Sequence, residues 1–196
     1  MRWICALAAF ALLSGCFVKE YGYSAPYVAR QPFFVEVPMN APSISQQFRR
    51  GAGNADHLGL DFVAPLGTQV LAAAPGRVTR SFFDPAYGNM VELSHGTDAN
   101  GAPILTRYAH LKERLAMAGS SVARGDPIGT LGRSGVLAGG LLHLHFEIWV
   151  GSRRDPQNAK DPNLFWIGGP GQVACFNGAT NPPVSPFRIS HPVMCR

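Results

Sequence analysis

The stretch HLHFEIW, residues 143–149, alternates polar and apolar side chains at every second position. Successive side chains of an extended strand point to opposite faces of a sheet, so this pattern predicts a β-strand. His143, His145 and Glu147 share its polar face, and the apolar residues between and after them form a face that packs in the core. The two imidazoles then stand roughly 7 Å apart along the strand. At that spacing both can reach one metal ion, or one ion and its water.

A second polar pair lies in HLGLD, residues 57–61, where His57 and Asp61 are four positions apart. A helix and a strand both place residues with this spacing on one face. The turn-forming sequence APLG at 64–67 and the internal Gly59 favour a strand followed by a turn. We therefore predict a strand in which Gly59 allows the backbone to approach closely or to bulge.

A third motif, YAHL at residues 108–111, contributes His110. The three motifs together hold four of the six histidines and Asp61. Catalytic zinc usually takes three nitrogen or oxygen ligands and leaves a fourth position for water. Five such side chains suffice for three ligands and two histidines that handle protons. The spacing leaves open which of His143 and His145 is the ligand.

Two other zinc designs do not fit the sequence. Structural zinc sites usually close with cysteines, and no cysteine lies between residues 17 and 174. The sequence HExxH, which places two ligands and a glutamate base on one helix, is also missing. The pattern therefore favours a catalytic site built on strands.

From about Ser43 to Trp149 the chain resembles the LytM/lysostaphin-like family of zinc metallopeptidases, which cut peptide cross-links in bacterial peptidoglycan. The resemblance rests on the three histidine motifs and on three further stretches, APLGTQVLAAAPGRV (64–78), YGNMVELSHG (87–96) and VARGDPIGTLGRSG (122–135). The chain departs from the family pattern at Leu141-Leu142, where small residues or proline usually precede the first histidine of HLHFE.

By position, the resemblance implies that His57, Asp61 and His145 bind one Zn²⁺. It implies that His110 and His143 act as catalytic residues beside the water and the substrate carbonyl. The expected substrates are peptidoglycan stem peptides, cut at links between D-alanine and a diamino acid. Two alternatives are a non-catalytic LytM-type regulator of a cell-wall amidase and a wall-binding module with an idle zinc. Such regulators typically have lost metal-site residues, whereas this chain retains all five.

Composition agrees with the all-β fold that the resemblance implies, in which antiparallel sheets form a groove and little helix is present. The chain has 22 glycines and 16 prolines and few charges, which favours short strands and turns. We expect the metal at the floor of the groove and three loops as its walls, at 80–90, 96–104 and 132–140. One short helix is predicted within 111–117. The net charge of +5 suits an anionic wall polymer, and no nucleic-acid-binding motif is present.

The N-terminus has the features of an export signal. Arg2 is followed by an apolar run too short to span a membrane and then by Leu-Ser-Gly-Cys16, which resembles a bacterial lipobox. We predict a lipoprotein signal peptide at 1–15 and a lipid on Cys16 that anchors the protein to a membrane. By analogy with Gram-negative sorting, the periplasmic face of the outer membrane is expected. The alternative is an ordinary secretory signal cut near Ala25.

The remaining boundaries follow from the motifs. Residues 16–42 are predicted to be a tether with a strand near its end, and residues 43–150 to be the peptidase domain. Residues 151–196 carry many apolar side chains, which would be a liability on an exposed tail, so we expect this extension to pack on the domain. Cys175 and Cys195 are the two cysteines left after export and lipidation, and we predict a disulfide between them.

Overall fold

The structure is a computed structural model that describes residues 34–51, 56–179 and 186–196. The predicted signal peptide, Cys16 and the first part of the tether lie outside these residues. Within the described ranges no helix is long and apolar enough to cross a membrane.

The described residues form eleven strands and three short 3₁₀ turns. The strands are β1 (Ser43–Gln46), β2 (Leu60–Val63), β3 (Gln69–Leu71), β4 (Gly76–Asp84), β5 (Gly88–Thr97), β6 (Pro103–Leu111), β7 (Glu113–Arg114), β8 (Ser121–Val122), β9 (Pro127–Thr130), β10 (Leu144–Val150) and β11 (Ala159–Lys160). The 3₁₀ turns are Val136–Ala138, Pro156–Asn158 and Pro162–Leu164.

These strands build two sheets whose pairs are all antiparallel. The larger sheet has the order β1-β2-β10-β6-β5-β4-β8, with β11 paired to β10, and the smaller has the order β3-β9-β7. The predicted all-β class with little helix is therefore confirmed. β10 lies inside the larger sheet, between β2, which follows His57 and contains Asp61, and β6, which contains His110.

The core lies on one face of β10. Leu144, Phe146 and Ile148 are all fully buried, which confirms the predicted apolar face of this strand. Val70 on β3 and Ile128 on β9, two strands of the smaller sheet, belong to the same buried cluster. Because burial of each such side chain stabilises the fold by about 1.5–3 kcal/mol, this face fixes the orientation of β10. The polar face of the strand is thereby held outward, away from the core.

The C-terminal extension is part of the same folded body. Trp166, Ile189 and Val193 are fully buried in the core cluster. The Trp166 ring meets the Phe62 ring edge-on, with ring centres 6.5 Å apart. A disulfide joins Cys175 and Cys195 across a sequence separation of 20 residues. The extension therefore packs against the core face of β2.

Residues 34–42 also pack on this body, although the predicted tether ran to residue 42. Val35 and Val37 pack against the core cluster. The Glu36 amide donates to the Gly171 carbonyl at 2.8 Å, and the Val173 amide donates to the Glu36 carbonyl at 3.0 Å. This stretch therefore belongs to the folded domain rather than to a free tether.

The helix predicted within 111–117 is wrong. Leu111 ends β6, and residues 113–114 form β7. The Lys112 amide donates to the Thr130 carbonyl at 2.8 Å, and the Leu115 amide donates to the Ile128 carbonyl at 2.9 Å. The backbone of this segment thus pairs with β9 instead of with its own carbonyl groups, so tertiary pairing overrides local helix preference.

If the extension is integral to the fold, truncating one of its buried side chains should destabilise the whole domain. We expect Ile189→Ala to lower the free energy of unfolding by about 2–5 kcal/mol, since Ile189 is fully buried. The matched control is Met194→Ala, because Met194 is 43% exposed, and it should change stability by about 0.5 kcal/mol or less. Urea unfolding monitored by tryptophan fluorescence measures both. Equal, small effects of the two substitutions would contradict this account of the extension.

Candidate active site

The β2–β10 pairing brings the first and third histidine motifs together. Asp61 on β2 lies directly opposite His145 on β10. His57 precedes β2 and pairs through its backbone with Arg49. A Cβ at Gly59 would lie 2.3 Å from the Phe146 carbonyl oxygen, so only glycine permits this approach of the two backbones. The predicted role of Gly59 agrees with this geometry, but the observed strand covers only Leu60 and Asp61 of HLGLD, because His57 forms an isolated bridge and Gly59 lies in a bend.

Three potential ligand atoms converge at this point. His57 Nε2 lies 3.1 Å from Asp61 Oδ1 and 3.1 Å from His145 Nδ1. His145 Nδ1 lies 2.8 Å from the same oxygen of Asp61. Among the described residues, these three side chains form the one group arranged to hold a metal ion.

The hydrogen bonds on the far sides of the rings determine which nitrogen atoms have a lone pair. His57 Nδ1 lies 2.8 Å from the Gln47 carbonyl oxygen, which can only accept, so Nδ1 carries the ring proton. His145 Nε2 lies 3.0 Å from Glu147 Oε1, so Nε2 carries the proton of that ring. In the neutral rings, His57 Nε2 and His145 Nδ1 therefore both point lone pairs at each other and at Asp61.

Such an arrangement is repulsive unless a positive charge lies among the three atoms. Burial alone would lower the pKa of His145, but its hydrogen bonds to Asp61 and Glu147 raise that pKa to about 9. Burial would raise the pKa of Asp61, yet His145 and His57 hold it well below its usual range. The negative potential of Asp61 and Glu147, which raises the pKa of His145, also attracts a metal cation.

The donor set fits zinc. Three ligand atoms on one tetrahedral zinc lie about 3.3 Å apart at zinc–nitrogen distances of about 2.0 Å. The three atoms here are 2.8 to 3.1 Å apart. Two imidazoles and one carboxylate leave a fourth position open, which is the composition of catalytic rather than structural zinc sites. The ligand roles of His57, Asp61 and His145 remain predictions that this geometry supports.

His110 and His143 lie beside this centre. Their ring centres are 4.7 Å apart, and His143 Nε2 lies 3.9 Å from Asp61 Oδ2. His110 Nδ1 donates to the Ser134 carbonyl at 2.8 Å, and His143 Nδ1 donates to the Leu141 carbonyl at 3.2 Å. Each neutral ring therefore keeps an unprotonated Nε2 that is free for proton transfer or hydrogen bonding.

The backbone at His110 is strained. Among the described residues, it is the one non-glycine residue with a positive φ, at 61°. This conformation ends the regular alternation of β6 and is held by the His110 amide, which donates to the Tyr87 carbonyl at 2.9 Å. Strain of this kind persists only where the surroundings impose it, and it is concentrated at functional sites. Burial lowers the pKa of His110 to about 4, so the ring is neutral at pH 7.

Two of the three predicted walls lie at the site and the third does not. The turn between β4 and β5 places Tyr87 against His110, with ring centres 6.2 Å apart and nearly parallel planes. Residues 132–140 hold His110 through Ser134. Residues 96–104 lie at the opposite end of the β5–β6 hairpin from His110. In this antiparallel hairpin Asn89 pairs with Leu111 next to His110, whereas Thr97 pairs with Pro103 at the far end.

Sequence reasoning missed Arg107 and Tyr87, and it placed Glu147 on the polar face of β10 without a role. Arg107 Nη1 donates to Glu147 Oε2 at 2.8 Å, and its guanidinium carbon lies 5.0 Å from the centre of the Tyr87 ring. The alternation of β10 places Glu147 on a polar face, but β6 gives no such signal for Arg107, because Leu105 and Ala109 share its face. Their pairing depends on the strand register, which no local pattern supplies.

An open antiparallel sheet that presents two imidazole nitrogens and a carboxylate oxygen to one point, with two more histidines beside it, is typical of a metallohydrolase. Comparison with known proteins gives the family. Residues 55–159 match Peptidase family M23. This match covers more than half of the chain, and the chain belongs to that family.

Two relatives whose names describe endopeptidases each match about half of this chain. The chain is 38% identical over 107 residues to the peptidoglycan DD-endopeptidase ShyC of Vibrio cholerae, covering 54% of this chain and 23% of the relative. It is 41% identical over 91 residues to the DD-carboxypeptidase/endopeptidase Mpg of Neisseria meningitidis, covering 46% of this chain and 19% of the relative. The matched region is thus about a quarter or less of the length of these two relatives.

Solved structures agree with the fold. The antimicrobial peptidase lysostaphin from Staphylococcus simulans superimposes with a TM-score of 0.56 at 25% identity, covering 75% of this chain and 57% of lysostaphin. A zinc-containing peptidase from Vibrio cholerae superimposes with a TM-score of 0.52 at 30% identity, covering 65% of this chain and 37% of that protein.

The ligand assignment is tested by metal content. We expect purified protein to hold about one equivalent of zinc. Asp61→Ala should lower zinc occupancy markedly, because it removes the anionic ligand and leaves two buried imidazoles. Asp98→Ala is the control, since Asp98 caps the turn at the far end of the β5–β6 hairpin through bonds of 2.9 Å to two backbone amides. Elemental analysis after dialysis measures both. Full zinc content with unchanged affinity in Asp61→Ala would show that the assignment is wrong.

Proposed function

We propose that this protein is a zinc-dependent endopeptidase that hydrolyses peptide cross-links of bacterial peptidoglycan, with the link between D-alanine and a diamino acid as the bond cut. The observation that carries the proposal is the convergence of His57 Nε2, Asp61 Oδ1 and His145 Nδ1 beside two further histidines. Relatives named as peptidoglycan DD-endopeptidases support the substrate class.

His57, Asp61 and His145 would hold the zinc. When bound there, zinc supplies a Lewis acid that polarises a peptide carbonyl and makes water more acidic. The protein contributes the orientation of the three ligands: Gln47 fixes the His57 ring and Glu147 fixes the His145 ring. Both partners are already in place, so binding requires little rearrangement of the side chains.

His110 and His143 would carry the proton chemistry. Because Nδ1 of each ring is committed to a backbone carbonyl, each Nε2 can accept a proton from water and later donate it to the leaving amine. The same Nε2, once protonated, can donate a hydrogen bond to the developing oxyanion. Two such groups 4.7 Å apart can divide the two tasks in one catalytic cycle.

The alternative, a non-catalytic regulator of a cell-wall amidase, has no specific structural observation in its favour. A regulator needs a docking surface but has no need of a cation site. The lone-pair geometry at Asp61 and the strained backbone of His110 are costly features that a docking surface does not require. Both features serve chemistry directly.

Turnover separates the catalytic residues from the ligands. We expect His110→Ala and His143→Ala to keep their zinc and to lose about a hundredfold or more of the rate, because they act on water and on the oxyanion. Lys112→Ala is the control, since the Lys112 side chain lies two residues from His110 and is 51% exposed. The assay follows the conversion of purified cross-linked muropeptide dimers to monomers by chromatography.

Two results would overturn parts of this proposal. Loss of zinc in His143→Ala, with zinc retained in His145→Ala, would show that the roles of the two residues are reversed. Zinc-loaded protein that leaves the dimers uncut, yet accelerates a purified amidase, would establish the regulator function instead.

We also propose that the protein is exported and held at a membrane by a lipid on Cys16, facing the periplasm from the outer membrane. The support is the Leu-Ser-Gly-Cys16 sequence after an apolar run. The Cys175–Cys195 disulfide is consistent with this location, because disulfides persist in oxidising compartments and are rare in the cytosol.

Lipidation is tested by metabolic labelling in a Gram-negative host with a fatty acid analogue. We expect the full-length protein to incorporate the label and Cys16→Ser to lose it. Cys5→Ser is the matched control, since it changes a cysteine inside the predicted signal peptide and should leave labelling unchanged. Unlabelled parent protein whose mature N-terminus lies near Ala25 would establish an ordinary secretory signal.

A further inference from the structure

A row of alternating charges crosses the larger sheet next to the candidate active site. Arg80 on β4 lies opposite Glu92 on β5, Glu92 lies opposite Arg107 on β6, and Arg107 lies opposite Glu147 on β10. These four residues share one face of the sheet, which is also the face of His145. Glu92 and Glu147 are almost completely buried, with side chains 2% and 1% exposed.

Arg107 reaches the metal-ligand side of the site through Glu147. Its Nη1 lies 2.8 Å from Glu147 Oε2, and the other oxygen of Glu147 lies 3.0 Å from His145 Nε2. Trp149 Nε1 also donates to Glu147, at 2.6 Å. Glu147 is thus held from one side by Arg107 and from another by Trp149, and it holds the tautomer that turns His145 Nδ1 toward Asp61.

Arg107 reaches the other side of the site through Tyr87. The guanidinium carbon lies 5.0 Å from the centre of the Tyr87 ring. Tyr87 also stacks on His110, with ring centres 6.2 Å apart and planes 19° from parallel. The Tyr87 carbonyl also accepts the His110 amide at 2.9 Å. One side chain is therefore linked, by one intermediate residue each, to a predicted ligand and to a predicted catalytic histidine.

Glu92 forms an ion pair with Arg107. Arg107 Nε lies 3.2 Å from Glu92 Oε1, close enough for an ion pair but without hydrogen-bond geometry, and Glu92 also binds Arg153. A planar guanidinium can donate to Glu147, pair by charge with Glu92 and lie against an aromatic ring at the same time. A lysine ammonium at this position could pair with carboxylates but offers no flat surface to Tyr87.

We propose that Arg107 is a positioning residue for the catalytic centre. Through Glu147 it fixes the orientation of His145, and through Tyr87 it fixes the orientation of His110. It contacts neither the metal ligands nor the reacting atoms. The inference rests on the proposed function of this site as a metal centre. Partners behind a ligating histidine commonly change metal affinity or activity by about tenfold to a hundredfold.

Two substitutions separate the two connections. Arg107→Gln removes the positive charge that pairs with Glu147 and lies against the Tyr87 ring. We therefore expect zinc affinity to fall by about tenfold or more and kcat to fall with it. Arg107→Lys restores the charge near Glu147 but not the flat surface, so we expect zinc affinity within about threefold of the parent and a kcat that stays about tenfold low. KM should change little in either variant, because the Arg107 side chain is only 15% exposed and is paired with Glu147.

The control is Arg80→Gln, which removes another arginine from the same row. Arg80 contacts Glu92 at 3.8 Å and is 51% exposed, and we expect its zinc affinity and kcat to equal those of the parent. Zinc affinity is measured by competition with a chromophoric chelator, and the ligand geometry by the visible spectrum of the cobalt-substituted protein. Neither readout depends on peptidoglycan cleavage, so failure of the proposed activity and failure of this inference give different results.

A double-mutant cycle tests the route. If Arg107 acts through Glu147, Arg107→Gln should have a much smaller effect on zinc affinity when Glu147→Gln is already present. Additive effects of the two changes would show that Arg107 contributes only general stability, and the inference would be wrong. Parental zinc affinity, cobalt spectrum and kcat in folded Arg107→Gln would overturn it as well. If Arg107→Gln does not fold, a parental kcat in folded Arg107→Lys would be sufficient to overturn the inference.

Discussion

The pairing of Asp61 with His145 across β2 and β10 is the constraint on which the rest of the site depends. A shift of one residue in that register would turn every side chain of β10 to the opposite face. His145 would then enter the core, and Phe146 would take its place at the site. Gly59 makes the pairing possible, because any side chain there would collide with the Phe146 carbonyl.

The packing on the hidden face keeps this register. Phe62, next to Asp61, is buried against Phe146 and Trp166, with ring centres 6.4 and 6.5 Å away. Trp166 belongs to the part of the C-terminal extension that follows the matched family region, and it packs against the strand that carries Asp61. The charged row through Arg107 contacts the opposite, polar face, so β10 is held from both sides.

The sequence predicted those parts of the site that depend on local periodicity. Alternation in HLHFEIW gave the strand and both of its faces, and Gly59 pointed to a close backbone approach. The contacts of Arg107 with Glu147 and Tyr87 depend on which strands are neighbours and in what register, and local sequence carries no such information. The helix prediction at 111–117 failed for the same reason, because the carbonyl groups that its amides contact belong to β9. The positive φ of His110 likewise results from contacts with Tyr87 and Ser134 that only the folded chain provides.

The central claim is that a zinc ion is held by two imidazoles and one carboxylate through the particular atoms whose lone pairs converge. The most direct test is a crystal structure of the purified protein with anomalous diffraction data collected on both sides of the zinc absorption edge. The account predicts one strong peak bonded to His57 Nε2, an Asp61 carboxylate oxygen and His145 Nδ1, with Glu147 still bonded to His145 Nε2. A zinc bound through His145 Nε2, or bound to His110 or His143 in place of one of these ligands, would contradict it.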